Sequence, residues 1–501
     1  MLWFAVGVKA QLSPQDAAKG MTRGINIGNT MEPPTEDAWG NPPLQEHAFD
    51  DYKNAGFTAV RIPITWDGHT STTPPYAINS AWLSRVEQVV DWGLKRGLLI
   101  TINAHHESWI KNSFTAANVA RFDSIWSQIA ARFKSKSDSL IFEIINEPYP
   151  MAEANVNALN AQVLKTIRQT NLTRIVSFSG YMWSNSDQLV AAAIPDSSDK
   201  YLIGYYHSYD PYPFGLVGTG TYGSAADINA TKAKFDQVTS WSKKNNIPVI
   251  LGEFGVMDTA DYNSRMCAYG TAVDQALGHG VPFFAWDDGG DFPVYNRITG
   301  GFNEIKDILI HTYPQSPNGM KISGTVNHSI KLQWHNRNTE DDSIVIQRKR
   351  IVSGSFGVIG EVASTDSVFI DTSTTAGTPY YYRLSVTMKD SAELQSYPIM
   401  LKTVATSVRP LNVAVEFELY DSYPNPFNPS TTIRYALPYS SNVALAVFNA
   451  LGQQVATLVN GIQQAGYHEV KFDGSNLASG VYFYRIQAGS FVQAKKLILV
   501  R

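Results

Sequence analysis

The chain has 501 residues, room for roughly two to four domains, with 40 Lys and Arg against 44 Asp and Glu. The formal charge of −4 gives no electrostatic basis for nucleic acid as a partner. A single cysteine, Cys267, excludes an intrachain disulfide, and no apolar run is long enough to span a bilayer as a helix.

Residues 1–12 open with an apolar run, Leu2 to Val8, and a small-x-small pattern at Val8–Lys9–Ala10. They read as a truncated remnant of a secretory signal peptide. Residues 13–315 then alternate apolar runs with amphipathic stretches. The strand candidates are GINIGN (24–29), AVRIPIT (59–65), LLITINAHH (98–106), LIFEIINEP (140–148), IVSFSG (175–180), YLIGYYHSY (201–209), PVILGEFG (248–255) and PFFAWDDGG (282–290). Between the second and third, Leu83, Val86, Val89, Val90 and Leu94 recur at helical spacing and Gly97 stops the helix. Continuous apolar strands separated by helices imply parallel strands covered on both faces. Eight such units over this length predict an α/β fold, a (β/α)8 TIM barrel.

The candidate strands start apolar and finish polar: Asn26, Arg61, His105 and His106, Asn146 and Glu147, His207 and Tyr209, Glu253, Trp286. In a (β/α)8 barrel these ends share one face, where the site is built.

After Pro314 the period changes to two. The runs SIKLQWHNRNTEDDSIVIQRKR and TPYYYRLSVTM alternate, with turn residues between them. Residues 316–408 are expected to form a small all-β sandwich of seven strands. The surroundings of Trp334 and of Tyr380 to Val386 resemble a fibronectin type III domain, whose simplest role is a spacer. Residues 409–501 form a second all-β unit. Pro424, Pro426 and Pro429 set extended or turn geometry, and glycines in NALGQ and FDGSNLASG mark hairpin turns. The runs YPNPFNPST and LASGVYFYR with a basic and apolar tail resemble the C-terminal sorting domain of type IX secretion. That resemblance implies a secreted or cell-surface protein, exported across a bacterial outer membrane by partner machinery that reads this domain.

Glu147 after the fourth strand and Glu253 in the seventh supply two carboxylates at one barrel mouth. Glycosidic hydrolysis needs such a pair: one protonates the leaving oxygen, the other attacks the anomeric carbon or activates water. Ionised Glu253 is expected to raise the pKa of Glu147 until Glu253 is glycosylated. Arg61 is expected to hold Glu253 ionised, Tyr209 to orient it, Asn146 to bond a sugar hydroxyl, and Trp286 to carry a sugar ring. Glu143, four residues before Glu147, points the same way along a strand and is expected to be structural. His105, His106 and Glu107 are a weak metal signal, because neighbours on a strand face opposite ways. Neither metal nor cofactor is expected.

With the motifs RGINIGNTME (23–32), RIPITW (61–66), INAHHE (102–107), FEIINEP (142–148), YYHSYDPY (205–212), ILGEFG (250–255) and FAWDDGG (284–290), residues 20–315 resemble glycoside hydrolase family 5, in its cellulase-rich branch. The resemblance implies Glu147 as acid/base and Glu253 as nucleophile of a retaining endo-β-1,4-glucanase. Arg61, His105, Asn146, His207, Tyr209 and Trp286 would complete the site, with Asn26 and His106 supporting it and His105 favoured over His106 as the in-site histidine. Trp39, Trp109 and Trp183, in loops after strands one, three and five, are candidate glucan-stacking residues. The alternatives are an endo-β-1,4-mannanase or xyloglucanase on the same site and, outside enzymes, a non-catalytic cell-surface glucan-binding protein. A monomer is expected.

Overall fold

The computed structural model describes residues 11–501 apart from 327–328, 338–342, 352–353, 376–377, 388–392, 403–416, 439, 465 and 490. All but the last two residues of the expected signal remnant lie outside the described residues, as does the expected boundary between 408 and 409. The chain divides into two compact units, Met1–Thr403 and Val404–Arg501.

Eight strands close a barrel in sequence order: β1 (Arg23–Asn26), β2 (Ala59–Ile62), β3 (Leu99–Asn103), β4 (Leu140–Glu143), β5 (Val176–Phe178), β6 (Leu202–Ser208), β7 (Val249–Phe254) and β8 (Phe283–Ala285). Every pairing is parallel, and β8 returns to β1 through Arg23 opposite Phe283. Helices cover the outside, which explains why the strands are buried on both faces. The helix expected near 81–97 runs Ser80–Lys95. The Asn79 side chain caps it by accepting from the amides of Ala81 and Trp82, and Gly97 follows it in the left-handed region at φ 69°. A short helix, Pro14–Gly20, closes the far end: Ala17 and Met21 cluster with Ile141, Ile203, Ile250 and Phe284.

The strands are shorter than the polar-ended runs predicted. β3 stops at Asn103, so His105 and His106 belong to the following loop; β4 stops at Glu143, ahead of Asn146 and Glu147.

The same unit holds an antiparallel sandwich of β9 (Asn318–Val326), β10 (Ser329–His335), β11 (Ser343–Lys349), β12 (Gly357–Ala363), β13 (Val368–Asp371), β14 (Pro379–Thr387), β15 (Glu393–Gln395) and β16 (Ile399–Lys402). One sheet orders β13-β10-β9, the other β12-β11-β14-β15. Among the described residues that is one strand more than the expected seven. β15 pairs with Ser385–Thr387 and β16 with Pro379–Tyr382 of the same strand. They are one edge broken at Pro398, which has no amide hydrogen to donate. Trp334, Ile344, Ile346, Tyr380, Tyr382 and Leu384 fill the space between the sheets.

The sandwich is docked on the barrel. Asn263 donates to Met400 O at 2.9 Å and accepts from its amide at 2.6 Å. Arg337 donates to both oxygens of Asp274 at 2.8 and 3.0 Å, and Arg383 meets Asp307 at 2.7 Å. Gly270, on helix Tyr262–Gly278, makes the close approach feasible: a Cβ there would stand 2.3 Å from the Tyr397 ring. A freely swinging spacer would show no such seam.

The second unit is a sandwich of β17 (Glu418–Leu419), β18 (Ser430–Leu437), β19 (Ser441–Asn449), β20 (Gln454–Gln463), β21 (Gly466–Asp473), β22 (Gly480–Ala488) and β23 (Phe491–Leu499). Its sheets order β17-β18-β21 and β20-β19-β22-β23. Alternate residues turn inward, Val443, Leu445 and Val447 against Tyr484 and Ile486. Gly452 sits at φ 78° in the β19–β20 hairpin as expected. The FDGSNLASG segment is not a hairpin, because β21 and β22 lie in different sheets; Gly474 instead packs against Phe427 and Leu499.

Candidate active site

The polar residues at the barrel mouth are organised by one guanidinium. Arg61, fully buried on β2, donates to Glu143 through Nε at 2.7 Å and Nη2 at 2.6 Å. Its Nη1 reaches Asn26 Oδ1 at 2.9 Å and Glu253 Oε1 at 2.6 Å, and its Nη2 reaches Asn146 Oδ1 at 2.8 Å. Five acceptor contacts satisfy a side chain that has no access to water. Burial opposes the Arg61 charge, but Glu143 and Glu253 outweigh it and hold the group above its ordinary value. Burial also pushes against the Glu143 anion, yet Arg61 brings that carboxyl below the usual range, helped by an amide hydrogen from Asn103 at 2.9 Å.

Glu253 sits where β7 loses register with both β6 and β8. Such irregularities re-aim side chains next to active sites. The Tyr209 hydroxyl donates to its Oε2 at 2.8 Å. Burial first, and the charge of Glu147 as well, push this carboxyl above the ordinary value, while His207, Arg61 and Tyr209 pull it down. His207 Nδ1 lies 2.9 Å from Glu147 Oε1 and 3.6 Å from Glu253 Oε2. An oxygen of Glu147, an oxygen of Glu253 and a ring nitrogen of His207 all fall within 4.8 Å of one another. Glu147 is held at φ +37°, in the left-handed region that non-glycine residues avoid; such a backbone costs about 1–3 kcal/mol and concentrates at functional sites.

The remaining candidates divide. Asn26 donates to the carbonyls of Gly252 and Phe284, linking β1 to β7 and β8. His105 is buried beside the Trp286 indole, with ring planes 13° apart and centroids 6.0 Å apart. Burial, first, and then the charge of neighbouring groups hold its imidazole well below the ordinary value. His106 is exposed and meets the edge of Trp39 at 5.5 Å. Trp183, half exposed, stacks on Tyr149 at 3.9 Å. Trp109 has one face taken: its indole N–H donates to Glu107 at 2.8 Å, and Arg121 lies 4.1 Å over its ring. These contacts pack its loop onto the barrel.

His105 and His106 also bring ligating atoms within 4.8 Å of each other and of Glu32. Strand alternation does not keep them apart, since β3 has ended before them.

Four contributors have no place in the site from sequence, Glu107 standing there only as part of a weak metal signal. Asn103 anchors Glu143 and also accepts from the Ile64 amide at 3.0 Å. Its signal was a lone amide inside the apolar run LLITINA. Glu32, in the quoted GNTME motif, is buried with its Oε1 unpartnered and 3.8 Å from His105 Nε2, and burial pushes its pKa up to about 8. Glu107, likewise in INAHHE, accepts from the Trp66 amide at 2.6 Å. Lys111 donates to His105 O at 2.7 Å, and burial lowers its pKa to about 8; it sits in a loop helix with no sequence signal.

Residues 17–291 match the family model Cellulase (glycosyl hydrolase family 5), and residues 421–500 match the secretion system C-terminal sorting domain, which marks the chain for type IX export. Endoglucanase H of Acetivibrio thermocellus is 46% identical over 313 residues, 60% of this chain and 34% of that protein. Endoglucanase B of Clostridium cellulovorans is 34% identical over 316 residues, 58% of this chain and 72% of that protein. The chain thus spans about a third of the first relative's length. Among solved structures, a tri-modular family 5, subfamily 4 endo-β-1,4-glucanase from Bacillus licheniformis aligns with a TM-score of 0.65 at 25% identity, over 97% of this chain and 100% of that one. A Thermotoga maritima enzyme solved with mannotriose aligns with a TM-score of 0.57 at 32% identity, over 59% of this chain and 99% of that one. A closed eight-stranded parallel barrel with this sequence match leads to one statement of kinship: the chain belongs to glycosyl hydrolase family 5, the cellulase family.

Proposed function

We propose that this protein is a secreted, retaining endo-β-1,4-glucanase, with Glu147 as acid/base and Glu253 as nucleophile. The observation that carries the reading is the spacing of the two carboxylates. One oxygen of each lies within 4.8 Å of one of the other, which suits the retaining separation of about 5–5.5 Å better than the 6.5–9.5 Å of inverting enzymes.

In the first step Glu253 attacks the anomeric carbon while Glu147 protonates the departing oxygen. Arg61 and Tyr209 fix the two oxygens of Glu253, so the attacking lone pair is aimed before substrate arrives. Their donors also stabilise its anion against burial. In the second step Glu147 takes a proton from water, which attacks the glycosyl carbon and releases Glu253. Asn146, pinned by Arg61, presents its amide hydrogens toward a sugar hydroxyl, and Trp286 gives a flat apolar face for a ring. His207, between the carboxylates, supports Glu147.

Two measurements test this. Glu253→Ala should abolish reducing-sugar release from β-1,4-glucan; activity equal to wild type would overturn Glu253 as nucleophile, and a wild-type protein that releases no sugar would leave only a glucan-binding protein. Proton NMR of fresh product should show the β-anomer first, and an initial α-anomer would overturn retention. Because a similar enzyme was solved with mannotriose, glucomannan belongs in the panel beside carboxymethylcellulose, barley glucan and xyloglucan. Preference for mannan would make the protein a mannanase on the same machinery.

A further inference from the structure

Asn103, the last residue of β3, is fully buried, and its backbone is held by the Trp66 indole N–H, which donates to Asn103 O at 2.9 Å. Its side chain meets three groups. The Oδ1 accepts from the Ile64 amide at 3.0 Å, and the Nδ2 lies 2.9 Å from Glu143 Oε1 and 3.1 Å from His105 Nδ1. The first two contacts decide which end of the amide is which. Turned over, it would set its NH2 against the Ile64 N–H and its oxygen against the carboxylate that is paired with Arg61. Two donors and two acceptors would then stand face to face in a site without water, so this orientation alone satisfies the amide.

One Nδ2 hydrogen therefore goes to Glu143 and the other to His105 Nδ1. A ring nitrogen that receives a hydrogen bond carries no hydrogen of its own, so the proton of the neutral imidazole sits on Nε2. A second proton, placed on Nδ1, would confront the amide hydrogen, and burial already holds this imidazole well below its ordinary value. The Nε2 edge looks toward Glu32, whose Oε1 stands 3.8 Å off. That is beyond the reach of a hydrogen bond. The ring plane lies within 13° of the Trp286 indole, the flat face proposed to carry a sugar ring.

We propose that Asn103 is a positioning residue of the hydrolase: by donating to Nδ1 it holds His105 in the Nε2–H form, which makes that histidine a fixed hydrogen-bond donor to a sugar hydroxyl and withholds it as a base. The sugar contact rests on the hydrolase reading above; the place of the proton does not. The second Asn103 hydrogen supports Glu143, which reaches Glu253 through Arg61. One amide thus ties the histidine to the carboxylate proposed as nucleophile. The same proton leaves the nitrogen facing Glu32 without a lone pair for a cation shared with Glu32 and His106.

The test uses the full chain carrying 15N-labelled histidine, in long-range proton–nitrogen NMR, with His105→Gln identifying the His105 signals by their loss. Wild type should show an unprotonated Nδ1 and a protonated Nε2. A protonated Nδ1, alone or together with Nε2, would overturn the proposal. Asn103→Leu removes the donor, with Asn103→Ala as the second variant where the larger side chain does not fold. The His105 signals should then move toward the averaged frequencies of two exchanging tautomers. KM on barley β-glucan should rise about threefold to tenfold, as for one lost neutral hydrogen bond. In a His105→Gln background the same substitution should leave KM within about twofold, because no imidazole remains to orient. His105 signals unchanged by the loss of Asn103, or an equal KM change in both backgrounds, would overturn the role of Asn103. A wild-type protein that cuts no β-1,4-glucan would overturn the hydrolase reading and leave the proton assignment standing.

Discussion

Arg61 grips Glu143 with two parallel hydrogen bonds, 2.7 and 2.6 Å long, inside the barrel where neither side chain meets water. The pair sets the plane of the guanidinium, and the remaining N–H groups then point at Glu253, Asn26 and Asn146. Glu143 thus acts on the proposed nucleophile through Arg61 without approaching the reacting atoms. Removing one partner of a buried ion pair costs about 3–5 kcal/mol, because the other charge is left uncompensated. Glu143→Ala should lower unfolding stability by that order in urea melts. It should reduce kcat more than it raises KM. Glu143→Gln, which keeps the shape and loses the charge, should fall between Ala and wild type.

Two buried carboxyls of the same site give opposite pH dependences of stability. Glu143 is depressed, so its contribution is present above the ordinary value of 4.5 and lost as pH falls below it. Glu32 is raised, from 4.5 to about 8, so between those values the folded state binds more protons than the unfolded one. Its effect is loss of stability as pH climbs through that window. Glu32→Gln does not titrate. Its melting temperature relative to wild type should therefore rise steadily from pH 5 to pH 8. A flat difference would show that Glu32 is not protonated in the fold.

Trp183 is half exposed, and its ring stacks on Tyr149, two residues from Glu147. Met182, Trp183 and Ser184 are all in the left-handed region, at φ 47°, 56° and 57°. A loop strained in this way, presenting an indole to solvent, suits ligand contact better than packing. Trp183→Ala should raise KM on glucan about threefold to tenfold, as expected for loss of roughly 0.5–1.5 kcal/mol of aromatic contact. Thermal stability should change little. Trp109→Ala should do the reverse, lowering stability through Arg121 and Glu107.

Gly270 allows helix Tyr262–Gly278 to lie against Tyr397. Gly270→Ala puts a methyl 2.3 Å from that ring, so the sandwich must shift or the helix must distort. The expected outcome is a lower melting temperature and faster proteolysis between barrel and sandwich, with cellotetraose hydrolysis largely retained below the transition.

Much of the barrel could be read directly, because parallel buried strands leave long apolar runs that few other structures need. The endings of those runs were harder. Asn146 and Glu147 look like the tip of LIFEIINEP but lie past the end of β4 at Glu143, where only single backbone bonds continue, such as Asn146 N–H to Ala104 O at 2.9 Å. Glu143 could be assigned to the interior by its spacing from Glu147, but its partner could not, because Arg61 lies 82 residues earlier and only barrel closure brings them together. Trp109 illustrates the converse: a tryptophan in a βα loop has the same sequence signal whether its face is free or covered by Arg121. The sandwich alternation was clear, while its seam with the barrel was not, since Asn263, Asp274 and Gly270 are unremarkable letters within a helix.

That seam has a consequence for how the gene can be cut and joined. The barrel side contributes Asp274, Asp307, Glu304 and Asn263, each matched to a group on the sandwich. A catalytic fragment ending near residue 315 would expose three carboxylates and a shallow apolar face around Gly270 to water. Exchanging the sandwich for another module of equal size would leave the same groups without counterparts. For engineering, the smallest transferable piece is therefore barrel plus sandwich, inherited as one block.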